Sequence, residues 1–111
     1  GLHSARQGEM MRYAADVGGY EIDSLPSQVQ VAVCHGFFVE QKYRGKGYAR
    51  ILKQMQGVKL AELSYDFAIC TVAGDNLIQQ KVLMAAGWDR LAAFKNRRTG
   101  GTTEIWGREI K

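Results

Sequence analysis

Phe38-Val39-Glu40-Gln41-Lys42-Tyr43-Arg44-Gly45-Lys46-Gly47-Tyr48-Ala49-Arg50 joins two kinds of hydrophobic pattern. Before it, Val29 to Val39 is apolar almost throughout, which suits a strand buried on both faces. After it, Tyr48, Ile51, Leu52, Met55, Val58 and Leu63 recur at helical spacing, with Lys53, Gln54, Lys59 and Glu62 on the other side. A basic turn carrying two glycines therefore links a strand to a helix start. The first N–H groups of a helix have no partner within it and converge on one spot. The helix dipole adds partial positive charge there, which favours an anion. Gly45 and Gly47 remove side chains where a phosphate would approach the backbone, and Arg44, Lys46 and Arg50 add formal charge. The stretch reads as a phosphate or pyrophosphate cradle.

Working outward, Tyr65 to Val72 is a second run rich in strand formers, so strand, helix and strand make a parallel βαβ unit. Ala73-Gly74-Asp75-Asn76 is a turn, with Asp75 or Asn76 a suitable helix cap. Leu77 to Ala86 reads as a second helix, and Gly87 as the residue that ends it. Asp89 to Phe94 and Thr103 to Ile110 read as the arms of an antiparallel hairpin with a polar tip. Upstream, residues 1–19 read as a helix with Met10, Met11, Tyr13, Ala14 and Val17 on its apolar side and Gly18-Gly19 as its stop. Tyr20 to Gln28 is a connector, in which Glu21-Ile22-Asp23 suits a short edge strand.

The 111 residues suit one domain, with residues 1–30 a short helix and connector and 31–110 the core. The net charge of +4 sits largely in two clusters, Lys42 to Arg50 and Lys95 to Arg98, and suits an anionic cofactor without demanding nucleic acid. Cys34 and Cys70 lie inside apolar runs, which points to buried thiols and a reducing, cytoplasmic setting. No ligand spacing suggests a metal site, no apolar run approaches membrane-spanning length, and the start carries no secretory signal pattern.

Arg44-x-x-Gly47-x-Ala49 fits the Q/R-x-x-G-x-G/A signature of the GNAT superfamily of acyl-CoA N-acyltransferases, and the chain from Val31 to Ile110 resembles that family's core. Asn76, followed by Gly87-Trp88, matches a second pattern, Asn-x10-Gly-aromatic. The resemblance implies an α/β mixed sheet with a central parallel βαβ unit, helices on both faces and a C-terminal antiparallel hairpin. It implies acetyl-CoA as co-substrate, held in a V-shaped opening between the two parallel strands. Backbone of Phe37, Phe38 and Val39 would pair with the pantetheine, and Gly45, Lys46, Gly47, Tyr48, Ala49 and Arg50, with Arg44, would hold the pyrophosphate. Asn76 would contact the cofactor or cap its helix, or do both. An acetyl group would pass directly to a primary amine on a small molecule or peptide, with the Val39 N–H facing the oxyanion.

The chain departs from the family in three places. The position of the family's Tyr acid is Leu83, and that of its Glu base is Thr71. His35 is the remaining candidate base; by alternation it shares a strand face with Phe37 and Val39, and its alternative role is a hydrogen-bonded structural histidine. Only about thirty residues precede the central strand, fewer than the family's opening strand, helices and two further strands require. A reduced sheet leaves an edge that recruits a partner, so a homodimer is expected. Two other readings are an acyl-CoA-binding or regulatory module with little or no turnover, and a basic nucleic-acid-binding domain, for which no recognised motif is present.

Overall fold

A computed structural model describes residues 10–110. Six strands form one sheet in the order β1-β2-β3-β4-β6-β5. They are β1 (Met11–Ala15), β2 (Gly18–Leu25), β3 (Gln28–Val39), β4 (Phe67–Ala73), β5 (Asp89–Lys95) and β6 (Thr102–Glu109). Helix α1 (Tyr48–Glu62) joins β3 to β4, and α2 (Leu77–Ala85) joins β4 to β5. β3 and β4 are parallel, and every other neighbouring pair is antiparallel. The expected mixed sheet, parallel βαβ unit and C-terminal hairpin are all present.

The N-terminal helix is not, over the residues described. Residues 11–25 form the hairpin β1–β2 instead, and the rest of that expectation, residues 1–9, lies outside the described residues. Gly18-Gly19 is not a helix stop. Gly18 lies opposite Val39 and Gly19 opposite Phe38. A Cβ on Gly18 would run into the Phe38 carbonyl, so the small residues serve a close approach of strands. Glu21-Ile22-Asp23 belongs to an inner strand, between β1 and β3, rather than to an edge.

Both described helices pack on one face of the sheet, where helices on both faces were expected. The reason is topological. β5 runs parallel to β4 because both are antiparallel to β6. The steps β3 to β4 and β4 to β5 therefore cross the sheet in the same direction. Right-handed crossovers in one direction place their helices on the same side. α1 and α2 touch each other there. The covered face carries Tyr20, Ile22, Ala32, Cys34, Ala68, Cys70, Val72 and Trp106, all buried. Cys34 and Cys70 are free buried thiols, as their apolar settings implied.

Helix α1 does not bury the side its apolar spacing marked. Leu52, Lys53, Gln56 and Leu60 face the sheet, while Ile51, Met55 and Val58 are about half exposed or more. Lys53 is 1% exposed and Gln56 0%. A lysine and a glutamine thus occupy core positions.

Candidate functional site

The cleft begins where β3 and β4 stop pairing. They pair only through Val31, Ala32 and Val33 against Phe67, Ala68 and Ile69. Beyond this point β3 runs on to Val39 and β4 to Ala73 without contact in register. The two central strands of the sheet therefore splay into a V.

One residue causes much of the divergence. Between β2 and β3, Gly19 lies opposite Phe38 but Glu21 lies opposite His35. β3 carries one extra residue there, a β-bulge, and Gly36 sits in it with φ +62. A bulge increases local twist and bends its strand. It also breaks the alternation of side chains. Phe37 turns to the helix face and packs on the core, with Lys53 Nζ 4.5 Å from its ring centre. His35 stays on the opposite face, beside Glu21 and Asp23. The expectation that His35 and Phe37 share a face is corrected by that single insertion.

The mouth of the V is a groove of about 770 Å³. It is lined by Phe37, Phe38, Val39, Tyr43, the turn from Arg44 to Arg50 and, across the opening, Asn76, Ile78, Gln79 and Val82; Lys46 alone of the turn does not reach its wall. Residues Gln41–Tyr43 form a 3-10 turn, and Gly47, with φ +86, caps α1 without any side-chain hydrogen bond. The first N–H groups of α1 thus lack a side-chain cap and have open space before them, since a Cβ at Gly45 or Gly47 would meet nothing within 4 Å. Arg44 donates from Nε to the Val39 carbonyl at 2.9 Å, which ties the turn to the strand end. Asn76 caps α2, its Oδ1 accepting from the Gln79 N–H at 3.1 Å, and the same side chain lines the groove. Of the residues named for cofactor contact on the sequence, all but Lys46 line this one opening.

The face away from the helices carries a different chemistry. His35 Nε2 lies 2.8 Å from Asp23 Oδ2, and Nδ1 lies 3.2 Å from Glu21 Oε1. Glu21 Oε2 in turn accepts from Arg12 Nε at 2.7 Å. His35 is about two-fifths exposed and lines the inner end of the V. Thr71 also lines it, from β4. Leu83 is 0% exposed, a core residue of α2 that has neither a proton to give nor access to the cleft.

Deeper in the V, a second cavity of about 350 Å³ lies against α1 and shares Phe37, Asn76 and Gln79 with the groove. Cys34, Cys70, Lys53 and Gln56 line its inner part. Burial lowers the Lys53 ammonium below the ordinary lysine range and pushes the Cys34 thiol up to about 12. No sequence signal marked this cavity, because Lys53 falls on what reads as the polar side of α1.

Acetyltransferases are among the solved structures that share this architecture. A Bacillus subtilis acetyltransferase in complex with CoA superposes with a TM-score of 0.76 at 16% identity, over 95% of this chain and 78% of that one. The ribosomal-protein-S18-alanine N-acetyltransferase of Escherichia coli gives 0.77 at 14% identity, over 97% and 74%. An acetyltransferase of the GNAT family from Streptococcus pneumoniae gives 0.75 at 12%, over 86% and 60%. The chain has the GNAT fold. No family model matches the sequence, and no curated protein matches it significantly. Among the described residues, no helix is long and apolar enough to cross a membrane.

Proposed function

We propose that this chain is a GNAT-type N-acyltransferase. It would bind a CoA thioester, acetyl-CoA being the simplest, and pass the acyl group to a primary amine. The observation that carries the reading is the splayed V opening directly onto the uncapped N-terminus of α1. A pantetheine arm pairs with the free edge of β3 at Phe37, Phe38 and Val39 as an added strand. The pyrophosphate rests on the turn from Gly45 to Arg50, with Arg44 beside it. Asn76, its carbonyl engaged in the cap, offers its NH2 group from the other wall.

In the reaction, the amine nitrogen attacks the thioester carbon and the carbonyl oxygen becomes an oxyanion facing backbone N–H donors of β3, that of Val39 among them. The C–S bond then breaks. One amine proton is lost and the CoA thiolate gains one, so amine and acyl-CoA yield amide and CoA thiol. The Glu21–His35–Asp23 cluster lies on the open face and draws a cationic amine towards the V. With a carboxylate on each ring nitrogen, His35 takes the amine's proton only by exchanging one of these contacts, directly or through water. The buried Leu83 leaves the thiolate without a side-chain acid, and water would protonate it.

The same Leu83, with Thr71, favours a second reading, a module that binds acyl-CoA without turnover. Calorimetric titration with CoA, followed by thiol release from acetyl-CoA over an amine panel, separates the two. We expect binding that Arg44→Ala, Lys46→Ala weakens by about tenfold or more, as a charge-assisted contact from Arg44 and the positive field of Lys46 beside the groove are lost. No binding of CoA by the intact chain would end both readings. A cytoplasmic homodimer, pairing along a sheet edge, is proposed on the edge-strand argument alone.

A further inference from the structure

The inner cavity holds polar groups that an acetyl group would leave unanswered. Gln56 is fully buried, and neither Nε2 nor Oε1 has a hydrogen-bond partner. Lys53 Nζ lies 4.5 Å from the Phe37 ring centre and 5.0 Å from that of Trp88, and no carboxylate among the described residues pairs with it. The titratable groups that face it are the thiols of Cys34 on β3 and Cys70 on β4, both held in the neutral form by burial. An ammonium and an amide thus line a space whose walls carry no carboxylate. Buried polar groups are almost always partnered, so two unsatisfied atoms beside one unpaired cation point to an absent occupant. The occupant must be anionic and small, and must enter from the groove, since the cavity joins it at Phe37, Asn76 and Gln79.

We infer that this cavity is an acyl pocket for a short dicarboxylic acyl group, so that the preferred donor is a CoA thioester of a diacid, of the size of succinyl-CoA. This rests on the groove being the CoA site. With the pantetheine along β3, the thioester reaches the bulge at Gly36 and Phe37, and the acyl tail points towards Cys34 and Cys70, where the strands meet. A methyl group would leave most of the cavity of about 350 Å³ empty. A tail ending in a carboxylate places that charge on Lys53 and Gln56 Nε2. The ammonium has three N–H donors, enough for the carboxylate and for Gln56 Oε1. The carboxylate takes no covalent part, so the transfer balances as before and the amine leaves as a succinyl amide.

The test is calorimetric titration of the whole chain with CoA, acetyl-CoA, butyryl-CoA and succinyl-CoA, repeated on Lys53→Met and on Gln56→Leu. Succinyl-CoA is expected to bind about tenfold or more tightly than acetyl-CoA and butyryl-CoA, the scale of one buried charge-assisted contact. In Lys53→Met the ratio between succinyl-CoA and acetyl-CoA falls to about one, and in Gln56→Leu it shrinks. Equal binding of the three thioesters, tighter binding of butyryl-CoA, or a succinyl preference that survives Lys53→Met overturns the inference. CoA binding without a succinyl advantage overturns the pocket alone. Failure of every CoA species to bind overturns the groove reading and the pocket with it.

Discussion

Lys53→Met is expected to stabilise the ligand-free protein. The ammonium of Lys53 is 1% exposed and has no carboxylate partner among the described residues. Removing such an ion from water costs several kcal/mol even after relaxation. Two aromatic rings, at 4.5 and 5.0 Å, return about 0.5–2 kcal/mol each. The deficit left over is about 1–3 kcal/mol. Methionine keeps the length of the stem and sets a polarisable sulfur against the same rings. Urea unfolding near pH 6.5 should therefore show a gain of about 1–3 kcal/mol, and the melting temperature should rise by about 4 °C or more per kcal/mol in a chain of this size. The gain should depend on pH with a definite sign. Burial lowers the folded-state pKa of Lys53, while the unfolded lysine titrates near 10.4. Between those two values the unfolded chain binds more protons, so the wild type gains stability as pH rises and the advantage of the variant shrinks towards pH 10. Cys34 and Cys70 work the other way at alkaline pH, but they are present in both proteins, and the difference isolates Lys53. A variant less stable than wild type near neutral pH, or an advantage that does not change with pH, would refute the account of an uncompensated buried charge.

Three further outcomes follow from single contacts. Gly36→Ala imposes a side chain at φ +62 and sets its Cβ 2.7 Å from Glu21 Oε1; it should lose about 1–2 kcal/mol in urea unfolding and weaken CoA binding in calorimetry, because the bulge that opens the V is disturbed. Asn76→Ala removes the α2 cap and should lose about 1 kcal/mol, with weaker CoA binding over and above that loss, whereas Asn76→Asp, which keeps the cap, should recover the stability alone. Cys34 is protonated far above neutral pH, its pKa raised from 9.0 to about 12, and its thiol should react with an aromatic disulfide reagent at pH 8 only at the rate of unfolding; labelling that is fast in native conditions and insensitive to stabilisers would contradict its burial.

The fold from Val29 onward was legible because each element announces itself locally. An unbroken apolar run bounded by a Gly-bearing turn made β3, and Asn76 and Gly87 bracketed α2 at its cap and stop. One wall of the groove proposed for the cofactor was legible for the same reason, since its residues are contiguous in sequence from Phe37 to Arg50. The N-terminal hairpin was missed because Gly18-Gly19 reads equally as a helix stop and as a close strand crossing, and only the position of Phe38 decides which. Alternation failed at His35 because one extra residue in β3 inverts the parity of everything after it, and nothing in Cys34-His35-Gly36-Phe37 marks the insertion except a glycine. α1 was misjudged on its buried side because its lysine and glutamine face a polar cavity, so hydrophobic spacing pointed away from the site rather than towards the core.

Those two failures have a common source. The inserted residue at Gly36 turns Phe37 to the helix side and leaves His35 on the other, so one bulge gives the V two chemically different flanks. On one side lie Phe37, the turn and the Lys53 cavity, all suited to a thioester and its acyl tail. On the other lie Glu21, His35 and Asp23, acidic and open, suited to a cationic amine. A group transfer needs donor and acceptor to meet at one point without competing for the same surface. A sheet whose central strands part above Val33 and Ile69 allows this, because the gap joins its two faces. On this geometry the donor determines what fills Lys53's cavity and the acceptor what approaches His35. Changing one preference should therefore leave the other intact. Lys53→Met should alter the ranking of acyl groups and not that of amines, while Asp23→Asn should alter the ranking of amines and not that of acyl groups; a substitution on one flank that reorders both rankings would show that the bulge does not separate them.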